Sequence, residues 1–128
     1  MESTSLFSKQ RGNEMKDVNG KILFRGKEYR LVFNLNVMEA IQEEYGSLER
    51  WGALTDGADG EVNAKAVIFG FREMLNEGID IMNEENGTND PFLTLKQTGR
   101  MVTEIGMQDA TSALNQTVVD STKTAEKN

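Results

Sequence analysis

The chain has 128 residues, 21 acidic side chains against 14 basic for a net charge of −7, and neither cysteine nor histidine. That length fits one domain with a modest core, and the missing residue types exclude disulfides, thiol nucleophiles, Cys/His zinc sites and a histidine general base. The acidic balance disfavours nonspecific nucleic-acid binding, and no apolar run approaches the roughly 18 residues that span a bilayer, so a cytoplasmic protein is expected.

Residues 1–20 are polar and aperiodic. They read as a flexible arm, because they bury too little apolar surface to offset ordering entropy. They contain no apolar h-region, so they are not a secretory signal.

Residues 21–33 fit a β-hairpin. A two-residue loop at Gly26-Lys27 puts glycine first, as a type II′ turn requires. That register pairs Phe24 with Tyr29, Ile22 with Leu31, and Arg25 with Glu28. Ile22, Phe24, Tyr29 and Leu31 then share one face, which Phe33 extends. Such a ribbon is marginal alone and must pack on helices.

Asn36, with Glu39 three residues on, predicts a capped start to a helix over 37–45. Val37, Met38, Ile41 and Tyr45 lie on one side of it, and Gly46 ends it. Ser47 caps a short second helix running to residue 54. The loop 55–60, TDGADG, has neither the length nor the ligand spacing of an EF-hand and reads as solvated.

Asn63 caps the longest helix, over 64–82. Val67, Phe71, Met74, Leu75 and Met82 form its stripe, widened by Ile68, Ile79 and Ile81. Gly70 and Gly78 weaken it by about 1 kcal/mol each relative to alanine, and either permit close approach or kink it. Residues 83–91 form a polar loop whose Glu84, Glu85, Asn89 and Asp90 suit either a weak cation site or, more commonly, a charged connection.

Thr94 with Gln97 forms a capping box for a helix over 95–105 that would bury Leu95, Met101, Val102 and Ile105. Gly106 breaks the chain. A last helix reaches residue 120 and leaves 121–128 as a polar tail. Its narrow stripe of Met107, Ala110, Leu114 and Val118 is the expected partner-binding surface, serving self-association or a second protein. Most of the seven methionines read as core on their helical spacing; Met107 is the better surface candidate. The expected fold is α+β, mainly α: an N-terminal hairpin packed on four to five helices, in one domain over 21–120. No catalytic, cofactor-binding or metal-ligating constellation emerges, so no enzyme is expected.

The stretch GKEYRLVFNLNVMEAIQEEYGSLERW, followed by a long central helix and a late Thr-capped helix, resembles the tail assembly chaperones of long-tailed bacteriophages and prophages. The resemblance spans roughly residues 21–120. It implies a non-catalytic protein of the bacterial host cytoplasm that binds the tape measure protein and tail tube subunits during assembly and is absent from the mature virion. It further implies genes with a programmed frameshift, of which this chain would be the short product. An acidic helical chaperone can cover a partly apolar helical partner that would otherwise aggregate. The competing expectation is a structural tail or head-completion protein retained in the virion.

Overall fold

A computed structural model describes residues 20–57 and 60–127, with side chains to residue 122. The expected arm, Gly20 excepted, lies outside the described residues. An antiparallel hairpin of β1 (Lys21–Phe24) and β2 (Lys27–Arg30) leads into five helices: α1 (Leu35–Tyr45), α2 (Leu48–Asp56), α3 (Ala64–Asn86), α4 (Leu95–Ile105) and α5 (Met107–Lys127). The architecture is α+β and mainly α, as the periodicity predicts.

The helix α3 is the axis of the molecule, touching β2 and every other helix. Its Val67, Phe71, Met74 and Leu75 meet Leu31, Ile41, Trp51, Met101 and Leu114 in one buried cluster. Two glycines let neighbours approach its backbone. The Trp51 indole lies across Gly70, where a Cβ would overlap the ring, and its Nε1 donates to the Ala66 carbonyl at 3.0 Å. At Gly78 a Cβ would collide with the Arg30 carbonyl, and just beyond, the Val32 N–H donates to the Met74 carbonyl at 3.2 Å. The chain leaving β2 is thus seated on helix backbone, and a buried donor finds its acceptor there. Of the two alternatives for these glycines, close approach is the one observed.

The hairpin register differs from expectation by two residues. Ile22 pairs with Tyr29 and Phe24 with Lys27. The turn is Arg25-Gly26, both at positive φ (52° and 79°), as a type I′ turn requires. A two-residue shift preserves which side chains face inward, so the alternation of apolar residues cannot choose between the registers. The observed turn sets Arg25 where its guanidinium reaches Glu104 of α4 at 2.8 Å and lies 5.2 Å from the Phe24 ring centre. The expected Arg25–Glu28 pairing is replaced by this long-range one; Glu28 faces Leu23 instead.

The cap of α1 is Asn34, not Asn36: the Asn34 side chain accepts from the Val37 N–H at 3.2 Å. Both asparagines donate through Nδ2 to the same Glu77 oxygen on α3, at 2.9 and 3.1 Å. That shared carboxylate ties the start of α1 to α3. Ser47, Asn63 and the Thr94–Gln97 capping box stand where predicted.

Three helices outrun their expected ends. The helix α2 continues to Asp56, α3 to Asn86 and α5 to Lys127. On α3, Asn83 lies inside the helix and folds the following loop back, accepting from the Thr88 hydroxyl and Asp90 N–H at 2.9 and 3.0 Å. On α5, the Ser121 hydroxyl donates to the Phe33 carbonyl at 3.2 Å, so part of the expected polar tail is a helical turn clipped to the chain leaving the hairpin.

Candidate functional site

The predicted partner-binding stripe does not lie on one free surface. Ala110 and Leu114 are fully buried, Val118 packs against the core, and Met107 alone is exposed. Helical spacing placed all four on one face correctly, but that face is the one α5 turns toward α2, α3 and α4. A partner could not touch Ala110 or Leu114 with α5 in place.

The acidic clusters also disperse. Glu84 and Glu85 belong to α3, and Glu85 and Asp90 approach Arg30 and Lys27 at 3.5 and 3.9 Å. Among the described residues no group of three acidic side chains is arranged to hold a metal ion. Asp59 lies outside them.

What the fold does build is an open groove between α3 and α4, about 970 Å³ in volume and lined mostly by apolar surface. Its floor is Ile68 and Phe69 from α3 and Leu95 from α4; its rim carries Lys65 and Arg72 from α3, Lys96 and Arg100 from α4, and Glu44 from α1. On α3, positions 65, 68, 69 and 72 fall on one face by helical geometry, and on α4 positions 96, 99, 100 and 103 do the same. Gly99 keeps the floor open: a Cβ there would make only an ordinary 3.5 Å contact with Ile68. Leu95, expected in the core, is 47% exposed at the mouth of this groove. It is the first helical residue after the Thr94 cap, where a side chain overhangs the end of the helix instead of facing its neighbours.

The walls are firmly held. Asn76 of α3 clasps the chain entering α4 as a second strand would: its Oδ1 accepts from the Leu93 N–H at 2.8 Å and its Nδ2 donates to the Leu93 carbonyl at 3.0 Å. The capping box then starts α4 one residue later. Phe69 packs edge-on against Tyr45 of α1, ring centres 5.6 Å apart, and the Arg72 guanidinium lies 5.8 Å from the Phe69 ring centre. Burial, and secondarily the Glu44 charge, raise the Tyr45 phenol above its ordinary pKa, so it stays neutral.

The charge distribution is uneven. Four of the chain's 14 basic residues line this groove against one of its 21 acidic ones. Lys65 is 3.9 Å from Glu44 and Arg72 is 2.7 Å from Glu73, whereas Lys96 and Arg100 form no ion pair among the described residues. The Arg72 Nε is buried without a hydrogen-bond partner among the described residues. The sequence hides this site because Ile68 reads as widening the apolar stripe of α3, Leu95 reads as core, and the basic residues come from separate helices. The available signal was the i, i+4 spacing of Lys96 and Arg100 beside Gly99 in so acidic a chain.

Among the described residues no helix is long and apolar enough to cross a membrane. No protein-family model, no curated protein and no solved structure matches the chain.

Proposed function

We propose that this protein is a tail assembly chaperone of long-tailed bacteriophages or prophages, and that it holds a helical segment of the tape measure protein in the α3–α4 groove. The observation that carries the binding half of this reading is the groove itself: a mostly apolar groove between α3 and α4, open to solvent. An amphipathic helix lays its apolar face into such a trough. The sequence resemblance over residues 21–120 supplies the assembly role.

No chemistry is assigned to the groove. Its polar groups are basic side chains spread along the rim, with a single carboxylate, Glu44. Enzyme sites bring a few polar groups together over one reacting atom, and this rim does not. Tail tube subunits are the second partner implied by the resemblance, and the host cytoplasm is the corresponding place of action.

The test is co-expression with a phage tape measure protein, followed by affinity capture. The wild type is expected to retain that protein in solution, and Leu95→Asp to lose it. Leu95 is half exposed and begins a helix, so aspartate there is compatible with the fold and favourable to the helix dipole. Undiminished capture by a folded Leu95→Asp protein would remove the groove from the proposal. Finding the chain in purified particles would replace the chaperone with a structural component of the virion.

A further inference from the structure

We infer that the occupant of the α3–α4 groove is an amphipathic helix whose apolar stripe is flanked by carboxylates, and that Lys96 and Arg100 select it. The inference rests on the groove reading above and adds the chemical identity of the bound surface.

The geometry sets the length of the match. From Leu95 to Thr103 the α4 wall rises about 12 Å, or roughly two helical turns. A partner helix therefore offers apolar residues at i, i+3 or i+4, and i+7 to Ile68, Phe69 and Leu95. Its own flanks then pass the two rims. One rim holds Lys65 and Arg72, two turns apart; the other holds Lys96 and Arg100, one turn apart. Carboxylates one turn apart on the partner meet Lys96 and Arg100 together.

The rims are not equivalent. Glu44 and Glu73 already partner Lys65 and Arg72. Lys96 and Arg100 have no acidic partner of their own among the described residues, so their charge is available to a ligand. On a chain of net charge −7 the surrounding field repels an acidic helix. The groove is a local exception, and association there is steered and register-fixing.

The chain's own surfaces fit less well. Residues 1–19 carry three basic side chains (Lys9, Arg11, Lys16) against three acidic ones (Glu2, Glu14, Asp17), so that segment brings no net negative charge. In a second copy, the outer face of α1 offers Glu39 and Glu43 but only one large exposed apolar residue, Leu35. That is too little to cover the floor.

The experiment uses the full chain and two synthetic helical peptides of equal length and identical apolar stripe. Glutamates flank the stripe in one and lysines in the other; binding is read by fluorescence anisotropy at low and high salt. The glutamate peptide is expected to bind about tenfold or more tightly than the lysine peptide, with the gap closing as salt rises. Lys96→Glu with Arg100→Glu, both on exposed positions of α4, is expected to reverse the preference. Gly99→Leu is expected to fill the floor and weaken both peptides while the thermal transition persists. Equal affinities, or preference for the lysine peptide, would overturn the inference while leaving the groove as a binding site. If neither peptide binds but Leu95→Asp abolishes capture of the tape measure protein, the carboxylate rule fails and the groove stands. If Leu95→Asp also captures normally, the groove reading itself has failed. Concentration-dependent self-association that the double charge reversal abolishes would assign the groove to a second copy and overturn the inference.

Discussion

Three glycines face three different surroundings, and substitution separates them. At Gly70 and Gly78 an added methyl meets the Trp51 ring and the Arg30 carbonyl. Alanine is favoured over glycine in a helix by about 1 kcal/mol, but overpacking typically costs about 1–3 kcal/mol. The Arg30 carbonyl is backbone, which moves only with β2. Gly78→Ala is therefore expected to destabilise by about 1 kcal/mol or more in urea denaturation, and Gly70→Ala likewise. Gly99→Ala meets open space and one ordinary contact, so it is expected to stabilise by up to about 1 kcal/mol. A stabilising Gly78→Ala would mean that Arg30 does not lie against α3. The sequence marks Gly70 and Gly78 as unusual for a helix interior without saying what approaches them. That depends on Trp51 and Arg30, which arrive from other elements.

At the scale of elements, charges at the hairpin turn add to the apolar and backbone contacts that seat it on the helices. Arg25 donates to Glu104, and this hydrogen bond holds the Glu104 carboxyl below its ordinary pKa; desolvation opposes it and the Arg25 charge adds to it. A carboxylate with a depressed folded-state pKa contributes stability that is complete above its unfolded pKa and is lost as pH falls through the folded one. Glu104→Gln is thus expected to be slightly less stable than the wild type at neutral pH and indistinguishable from it in strong acid. Arg25, whose pKa is raised by the same hydrogen bond, changes charge only in strong alkali and adds nothing to this window. Both groups are exposed, so added salt should shrink the difference. Thermal melts of the two proteins across acidic pH would check it; a gap persisting unchanged into strong acid would contradict the pairing. This contact also explains the limit of the sequence reading. Alternation identified the inward-facing residues, and a local turn rule selected Gly26-Lys27, but the observed Arg25-Gly26 turn brings Arg25 to Glu104, 79 positions away, a contact no local rule contains. At the start of α1 the sequence offers two asparagines, and the structure uses Asn34 as the cap while both donate to Glu77 of α3.

For the molecule as a whole, the helix starts set by the caps of α2, α3 and α4 were legible and burial was only partly so. Ser47, Asn63 and Thr94 bond backbone N–H groups within three residues, so local sequence contains the information. Which apolar stripe stays uncovered depends on how the helices are arranged around α3. Ala110 and Leu114 of the α5 stripe proved to be interior, while Leu95 and part of Ile68 lie in the groove. Leu114→Asp is accordingly expected to unfold the protein rather than to leave a folded variant that cannot bind. Placing an unpaired carboxylate at a fully buried position costs several kcal/mol. Loss of the cooperative thermal transition by circular dichroism would show it, and a native-like melt would put α5 outside the core.

The bond from Ser121 to Phe33 joins residues 88 positions apart, and Gly20, whose carbonyl accepts from the Leu31 N–H, sits against Thr117 of the same helix. Among the described residues, the segment that comes first in the chain therefore waits for α5 before these contacts form. A nascent chain stalled before α5 emerges would hold Leu31 and Phe33 without the helix that closes over them, open to proteases and to its neighbours on a polysome. A protein whose proposed task is to cover apolar helices on another chain thus completes its own cover only once α5 has joined the fold.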